Sequence, residues 1–230
     1  MSFKGILLDI DNTIYDYPSA HGNAIDAVRV HLGKTLGKEK AVLDEAYRCA
    51  RESVHVELAG TAASHSRLLY FQRMLEMLGA NPLVHAIDCY DLYWDCFLSG
   101  IQANEGVYAF LEQAKEAGAG LCLLTDLTAP IQFRKIRKLR LDEYTSRIVT
   151  SEEAGHEKPH PYIFLLGLRK IGVTPEQACM IGDSYGNDMF GALNVGIKPF
   201  WFCPGSVPDG PPDKRVTVFR SFTELAGMIR

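Results

Sequence analysis

Apolar residues in this chain gather in short, nearly unbroken runs, separated by longer stretches in which they recur every three or four positions. The runs fall at residues 3–10 (FKGILLDI), 120–125 (GLCLLT), 147–150 (RIVT), 178–182 (ACMIG), 197–203 (IKPFWFC) and 216–219 (VTVF). A run of this kind predicts a strand buried on both faces. The stretches 107–117, 129–139, 161–171, 187–195 and 222–229 carry apolar positions at helical spacing. Strands alternating with helices predict an α/β protein with a Rossmann-like parallel sheet and helices on both faces. In such sheets ligands gather beyond the carboxyl ends of the strands.

The alternation has one long gap. Between about Asp16 and Ile101 no strand is evident, and a loop of that length would be implausible in a compact domain. The segment instead predicts four helices, at 20–36, 38–58, 62–78 and 83–98, with Gly60 and the Gly79-Ala-Asn-Pro82 stretch supplying two of the breaks. We therefore expect a catalytic core formed by residues 1–15 and 101–230 and an inserted all-helical cap domain over 16–100. No internal repeat or low-complexity segment is evident.

Composition changes this picture little. At 230 residues, 47% hydrophobic and 23% charged, the chain can bury an ordinary core without a stabilising metal or disulfide. The formal net charge of -4 gives no general attraction to nucleic acid. Six scattered cysteines (Cys49, Cys89, Cys96, Cys122, Cys179, Cys203), with no CxxC pair, predict reduced, buried thiols in a cytosolic protein. Carboxylates interrupt the N-terminal run too early for a signal peptide, and no apolar run approaches a membrane span. A soluble, cytoplasmic protein with no membrane partner is expected.

The candidate chemistry lies at the ends of the predicted strands. Asp9-Ile10-Asp11-Asn12-Thr13 follows the first, and two carboxylates one residue apart are costly on a buried strand unless they emerge into a crevice where a cation offsets their repulsion. An aspartate followed by Asn-Thr is equally ordinary turn chemistry. Three further signals sit in the same relation to the sheet: Thr125-Asp126, Lys158 ahead of a helix opened by Pro161, and the glycine-rich GDSYGND at 182–188, with Asp183 and Asp188. Each alone is weak; acid, hydroxyl, amine and acid in that order are not. The basic stretch at 134–140 (RKIRKLR) predicts an amphipathic helix with Ile136 and Leu139 on the sheet and its cations solvated. Trp94 and Trp201, in apolar surroundings, are expected to be packing residues.

In these motifs the sequence resembles the haloacid dehalogenase superfamily, in its phosphatase branch with a helical cap inserted after the first strand. The family's four motifs match DIDNT (9–13), Thr125, Lys158 and GDSYGND (182–188), and the resemblance spans essentially the whole chain. It implies that Asp9 attacks a phosphate monoester to form an aspartyl-phosphate, and that Asp11 protonates the leaving alkoxide and then deprotonates water. It implies Mg2+ bound by the side chains of Asp9 and Asp183 and the main-chain carbonyl of Asp11, with Asp188 orienting a bound water or Lys158. Thr125 and the amide of Asp126 would then bind phosphoryl oxygens, and Lys158 would neutralise charge shared by phosphate and nucleophile. Asp11 favours phosphoryl chemistry, because family members that cleave carbon–halogen bonds generally lack it. Excluding water by cap closure is expected to raise its pKa.

Substrate choice in the family lies largely in the cap. Tyr15, Asp16 and Tyr17 are candidates to line the entrance, and His55, His65, Arg67, Tyr70, Gln72 and Arg73 to reach a substrate, although packing and solvent-facing roles serve these residue types equally well. A small-molecule phosphate monoester, a nucleotide or sugar phosphate, is the implied partner. A phosphomutase is the alternative, followed by a dehalogenase or a non-catalytic binding protein. A monomer or small homo-oligomer is expected.

Overall fold

The tetrad Gly5–Leu8 is buried at every position, which a strand achieves only with a neighbour on each edge and cover on each face. The computed structural model, which describes residues 3–205 and 210–229, supplies both. Gly5–Leu8 (β1), Gly120–Thr125 (β2), Ile148–Thr150 (β3), Ala178–Gly182 (β4), Lys198–Phe202 (β5) and Thr217–Phe219 (β6) form one sheet in the order β3-β2-β1-β4-β5-β6. Every pairing is parallel. The strand order reverses between β1 and β4, and a crevice opens at such a reversal beyond the carboxyl ends.

After β1 come the helices Tyr17–Leu36 (α1), Lys40–Glu57 (α2), Arg67–Met77 (α3) and Pro82–Gly100 (α4). Val107–Glu116 (α5), Ala129–Lys138 (α6), the single turn Ser151–Ala154 (α7), Pro161–Ile171 (α8), Phe190–Asn194 (α9) and Phe222–Met228 (α10) are interleaved with the remaining strands. The chain divides into two compact units, one of Met1–Asp16 with Gln102–Arg230 and one of Tyr17–Ile101.

In the sheet unit, Leu7, Cys122, Leu124 and Met180 pack with Ile163, Phe164 and Leu168 of α8. Alternate strand residues turn to the opposite face. There α5 lies against β2 and α10, with the rings of Phe110 and Phe222 5.6 Å apart. Gly167 allows α8 to approach closely: a Cβ there would stand 2.9 Å from Leu7 Cδ2 and 3.3 Å from Leu124 Cδ1. Residues 187–194 are helical, as their periodicity predicts, but the helix opens at Tyr185–Met189 with a wide π-type turn that runs directly into α9.

The helical unit buries Ala24, Val28 and Leu32 of α1, Tyr47 and Ala50 of α2, Phe71 and Met74 of α3, and Cys89, Tyr93 and Phe97 of α4. Ser66 caps α3 by accepting from the Leu69 amide, so the segment predicted as one helix from 62 is a short 3-10 turn followed by α3. Arg67 is buried, its guanidinium 5.3–5.8 Å from the ring centres of Tyr17, Tyr70, Tyr93 and Trp94. It donates to the His65 carbonyl at 2.7 Å and to the hydroxyl of Tyr17. The Tyr70 hydroxyl donates to the Ser64 carbonyl, 2.6 Å away, and meets His55 Nε2 at 2.9 Å. Gln72 and Arg73 pair with Glu76 and Glu57 on exposed helix faces. Trp94 is a packing residue, as its context predicts.

All six cysteines are free; Cys89, Cys122 and Cys179 are buried, whereas Cys49, Cys96 and Cys203 are only partly so, which corrects the expectation of uniformly buried thiols. Among the described residues no helix is long and apolar enough to cross a membrane.

The close approach at Gly167 yields a stability prediction. Gly167→Val should overpack the contact with Leu7 and Leu124 and lower the unfolding free energy by about 1–3 kcal/mol, measured as a reduced midpoint in urea at unchanged m-value.

Candidate active site

One residue beyond β1, Asp9 still belongs to the ladder, its amide donating to the Ile181 carbonyl at 2.9 Å. The chain then turns, closed by the Ile14 amide on the Ile10 carbonyl at 3.0 Å, with Asn12 in the left-handed region at φ 63°. Asparagine tolerates that conformation. The turn sets Thr13 Oγ1 2.7 Å from Asp9 Oδ2, as donor, and Asn12 Nδ2 2.6 Å from Asp183 Oδ2. Asp183 is the first residue after β4. The preceding Gly182 has no room for a side chain, because a Cβ would collide with the Asp188 carboxylate. Asp188 is held by the Ser184 amide, which donates to Oδ2 at 3.0 Å. Both carboxylate pairs thus stand at the point where the strand order reverses.

Lys158 joins them. It lies not at a strand end, as its place in the sequence order implied, but in the loop between α7 and α8. Its buried ammonium donates to Asp9 Oδ1 at 2.6 Å, to Asp188 Oδ1 at 2.7 Å and to the Leu124 carbonyl at 3.3 Å. Burial alone would lower the Lys158 pKa, but Asp188 and Asp9 hold it well above the ordinary value. Burial pushes the Asp9 carboxyl up to about 7, against the pull of Lys158 and with the help of the neighbouring Asp188 charge. Asp183 is pushed up to about 6, by burial first and then by the charge of Asp9. Burial also raises Asp188, opposed by Lys158.

Asp11 points to a different cation. Lys135 Nζ reaches its Oδ1 at 2.5 Å, Gln132 Nε2 donates to Oδ2 at 2.7 Å, and the Tyr15 hydroxyl donates to Oδ1 as well. Burial acts to raise the Asp11 pKa, but the charge of Lys135 and these hydrogen bonds outweigh it and hold the carboxyl below its usual value. That is opposite to the raised value expected for an acid. It also corrects the reading of 134–140 as a helix with all cations solvated: Lys135 is fully buried. The available signal was position. Gln132 and Lys135 share a buried face with Ile131 and Ile136, so both interrupt the apolar stripe that should face the sheet.

Thr125 ends β2 fully buried, accepting from Gln132 Nε2 at 2.8 Å and donating to the Asp126 carbonyl at 3.2 Å. The Asp126 carboxylate accepts from the Lys158 amide at 2.9 Å, which joins the β2 end to the lysine loop. Leu127 follows at φ 95°, a costly conformation for a bulky residue. Its amide is fixed by Ser151 Oγ at 3.0 Å. Asp9, Asp183 and Asp188 bring carboxylate oxygens within 4.8 Å of one another, while the Asp11 carboxylate lies outside that group. Asp188 already uses one oxygen on Lys158 and the other on the Ser184 amide. Trp201 does more than pack: its Nε1 donates to the Asp183 carbonyl at 2.7 Å, and it borders a cleft of about 350 Å³ shared with Asn12, Tyr15 and Asp183.

These shifts set a pH dependence. Asp9 and Asp183 have raised pKa values when folded, so from about pH 4 to about 7 these two carboxyls hold protons in the metal-free folded chain that the unfolded one has lost. The lowered His21 opposes them by one proton at most, so the unfolding free energy should fall as pH rises through that window. Urea unfolding in chelator at pH 5, 6 and 7.5 checks this, and Asp9→Asn should flatten the slope.

Comparison with known proteins agrees with this geometry. The profile of the haloacid dehalogenase-like hydrolases matches residues 3–196. A ribulose-1,5-bisphosphate 5-phosphatase from Halopiger xanaduensis is 34% identical over 207 residues, 89% of this chain and 86% of that protein. A glyceraldehyde 3-phosphate phosphatase from Methanopyrus kandleri is 30% identical over 215 residues, 91% of this chain and 88% of that protein. Among solved structures, a 2-haloacid dehalogenase from Pseudomonas syringae pv. Tomato superposes with a TM-score of 0.76 at 24% identity, over 99% of this chain and 98% of that one; this likeness is one of fold alone. With four aspartates, a threonine and a lysine gathered at the carboxyl edge of a parallel sheet, and the family profile running through all of them, the chain belongs to the haloacid dehalogenase-like hydrolases.

Proposed function

We propose that this chain is a phosphatase hydrolysing small phosphate monoesters, with Asp9 as nucleophile and Asp11 as general acid and base. The observation that carries this reading is the second carboxylate, Asp11, held in a fixed orientation two residues past Asp9. A halide departs without a proton, whereas an alkoxide needs one, so a positioned acid has a purpose only in the second chemistry.

In the first step an Asp9 carboxylate oxygen bonds to phosphorus as the bond from phosphorus to the ester oxygen breaks, and Asp11 gives its proton to that oxygen. In the second, water attacks phosphorus, Asp11 takes the water proton, and inorganic phosphate leaves with Asp9 restored. Lys158, 2.6 Å from Asp9, places positive charge where nucleophile and phosphate would otherwise repel. Thr125 and the Asp126 amide are assigned to the phosphoryl oxygens. They lie at the end of β2, the strand that pairs with β1.

A divalent cation suits the same residues. Asp9 and Asp183 are a like-charge pair whose burial drives both towards the neutral form, and a hard cation with oxygen ligands relieves that cost. Mg2+ is the assigned ion, held by Asp9, Asp183 and the main-chain carbonyl of Asp11; Asp188 supports the set by fixing Lys158. When bound, it would supply Lewis-acid stabilisation of charge on the phosphoryl oxygens. The named activities of the two relatives make small phosphorylated sugars the first substrates to test, with nucleotides next. A phosphomutase would keep the same aspartates but would not release inorganic phosphate.

A phosphate-release screen over many monoesters with and without Mg2+ tests the proposal. Asp9→Asn should abolish release, and Asp11→Asn should lower kcat on alkyl esters by about 10²–10⁴-fold. Unchanged release from Asp9→Asn on every active compound would refute the nucleophile assignment. In the same preparations Mg2+ should raise the thermal midpoint of the wild type and not of Asp183→Asn.

A further inference from the structure

Helix α6 places two polar side chains on a face that a sheet-packing helix ordinarily fills with apolar ones. Gln132 and Lys135 are both fully buried, between Ile131 and Ile136. A buried ammonium is expensive, and well-packed apolar residues in place of a buried ion pair are often neutral or stabilising. Stability alone therefore gives no reason for this pair. Lys135 is directed at one oxygen of Asp11, 2.5 Å from Oδ1, and its ammonium lies 6.0 Å from the centre of the Tyr15 ring.

Gln132 takes the other oxygen. Its Nε2 stands 2.7 Å from Asp11 Oδ2, 2.8 Å from Thr125 Oγ1 and 2.8 Å from the Asp126 carbonyl. A carboxamide nitrogen carries two protons, so three acceptors at those distances compete for them. Its Oε1 is buried with no hydrogen-bond partner. Turning the amide over would not help, because that oxygen would then face the Asp11 carboxylate. A buried acceptor left without a partner is destabilising, and the arrangement retains it while bringing one donor to Asp11 and Thr125 together.

We propose that Gln132 and Lys135 are positioning residues for the acid–base step. Between them they fix both oxygens of Asp11, and Gln132 ties that orientation to Thr125. Asp11 is thereby aimed at the ester oxygen of a phosphate that Thr125 holds. Neither residue exchanges a proton or touches the reacting atoms. The proposal rests on the reading of Asp11 as general acid, and it makes the two residues matter in proportion to the leaving group's need for a proton.

The test compares kcat/KM, which covers steps through loss of the leaving group, for two esters. One is the alkyl phosphate turned over best in the screen; the other is p-nitrophenyl phosphate, whose phenolate leaves without a proton. Lys135→Met and Gln132→Met should each lose about 10–100-fold on the alkyl ester through misplacement of Asp11, and no more than about threefold on the aryl ester. In an Asp11→Asn background neither should cost more than about a further twofold, because residues acting through one group are not additive. Equal losses on both esters, or full losses in the Asp11→Asn background, would leave the two residues as structural supports only and overturn the proposal. If Asp11→Asn itself spares the alkyl ester, the acid assignment falls and the proposal with it; if Asp11→Asn is selective and the α6 variants are not, the proposal alone falls. Should Lys135→Met not fold, Gln132→Met carries the comparison by itself.

Discussion

Four carboxylates crowd the ends of two neighbouring parallel strands, and their mutual repulsion is the constraint that the rest of the sheet unit answers. Asp9, Asp11, Asp183 and Asp188 are set against two buried ammonium groups, Lys158 and Lys135. Negative charge is in excess, so the group pays in one of two ways. Either protons are retained, as the raised values of Asp9 and Asp183 indicate, or a cation enters. Several local features follow from this. Gly182 leaves space for the Asp188 carboxylate, the wide turn at Tyr185–Met189 brings Asp188 back beneath the strand end, and Ser184 satisfies its second oxygen.

Placement at the reversal of strand order is what allows such crowding. β1 lies between β2 and β4, so one crevice receives side chains from three strand ends while the strands beneath remain fully apolar. A buried tetrad such as Gly5–Leu8 could not carry a charge within itself. The charges begin one residue later, at Asp9, where the Ile181 carbonyl still fixes the backbone but the side chain has left the packed layer.

The strands were legible because unbroken apolar runs such as GLCLLT and ACMIG have no other use in a chain of this size, and the gap before residue 101 was legible because its apolar spacing is helical. The motif carboxylates, Thr125 and Lys158 were legible as residue types that are costly where the pattern puts them. Local periodicity failed where a long-range partner decides the outcome. Lys135 belongs to a run of cations that looks solvated, and only Asp11, 124 positions away, explains its burial. Trp201 looks like packing until the Asp183 carbonyl is beside its indole nitrogen. The wide turn at Tyr185–Met189 carries the Asp188 that reaches Lys158, a demand that hydrophobic spacing does not record.

The two carboxylates of the first motif are also sorted by their surroundings. Two residues apart, Asp9 is pushed towards the neutral form, because burial and the Asp188 charge outweigh Lys158, and Asp11 towards the ionised one, because Lys135 and its hydrogen bonds outweigh burial. Divergent environments are how like groups take unlike roles. The resting direction is the reverse of what phosphoryl transfer asks of a nucleophile and an acid, so under the proposed chemistry binding must invert it. A cation beside Asp9 and Asp183 favours their ionised forms, and a phosphate group arriving next to Asp11 adds negative charge that favours its protonated form. Inversion by the substrate's own charge means that the acid is armed only when a phosphate is bound. Once Asp11 has given its proton to the alcohol, the lysine–glutamine clamp stabilises the carboxylate that the hydrolytic step needs as its base.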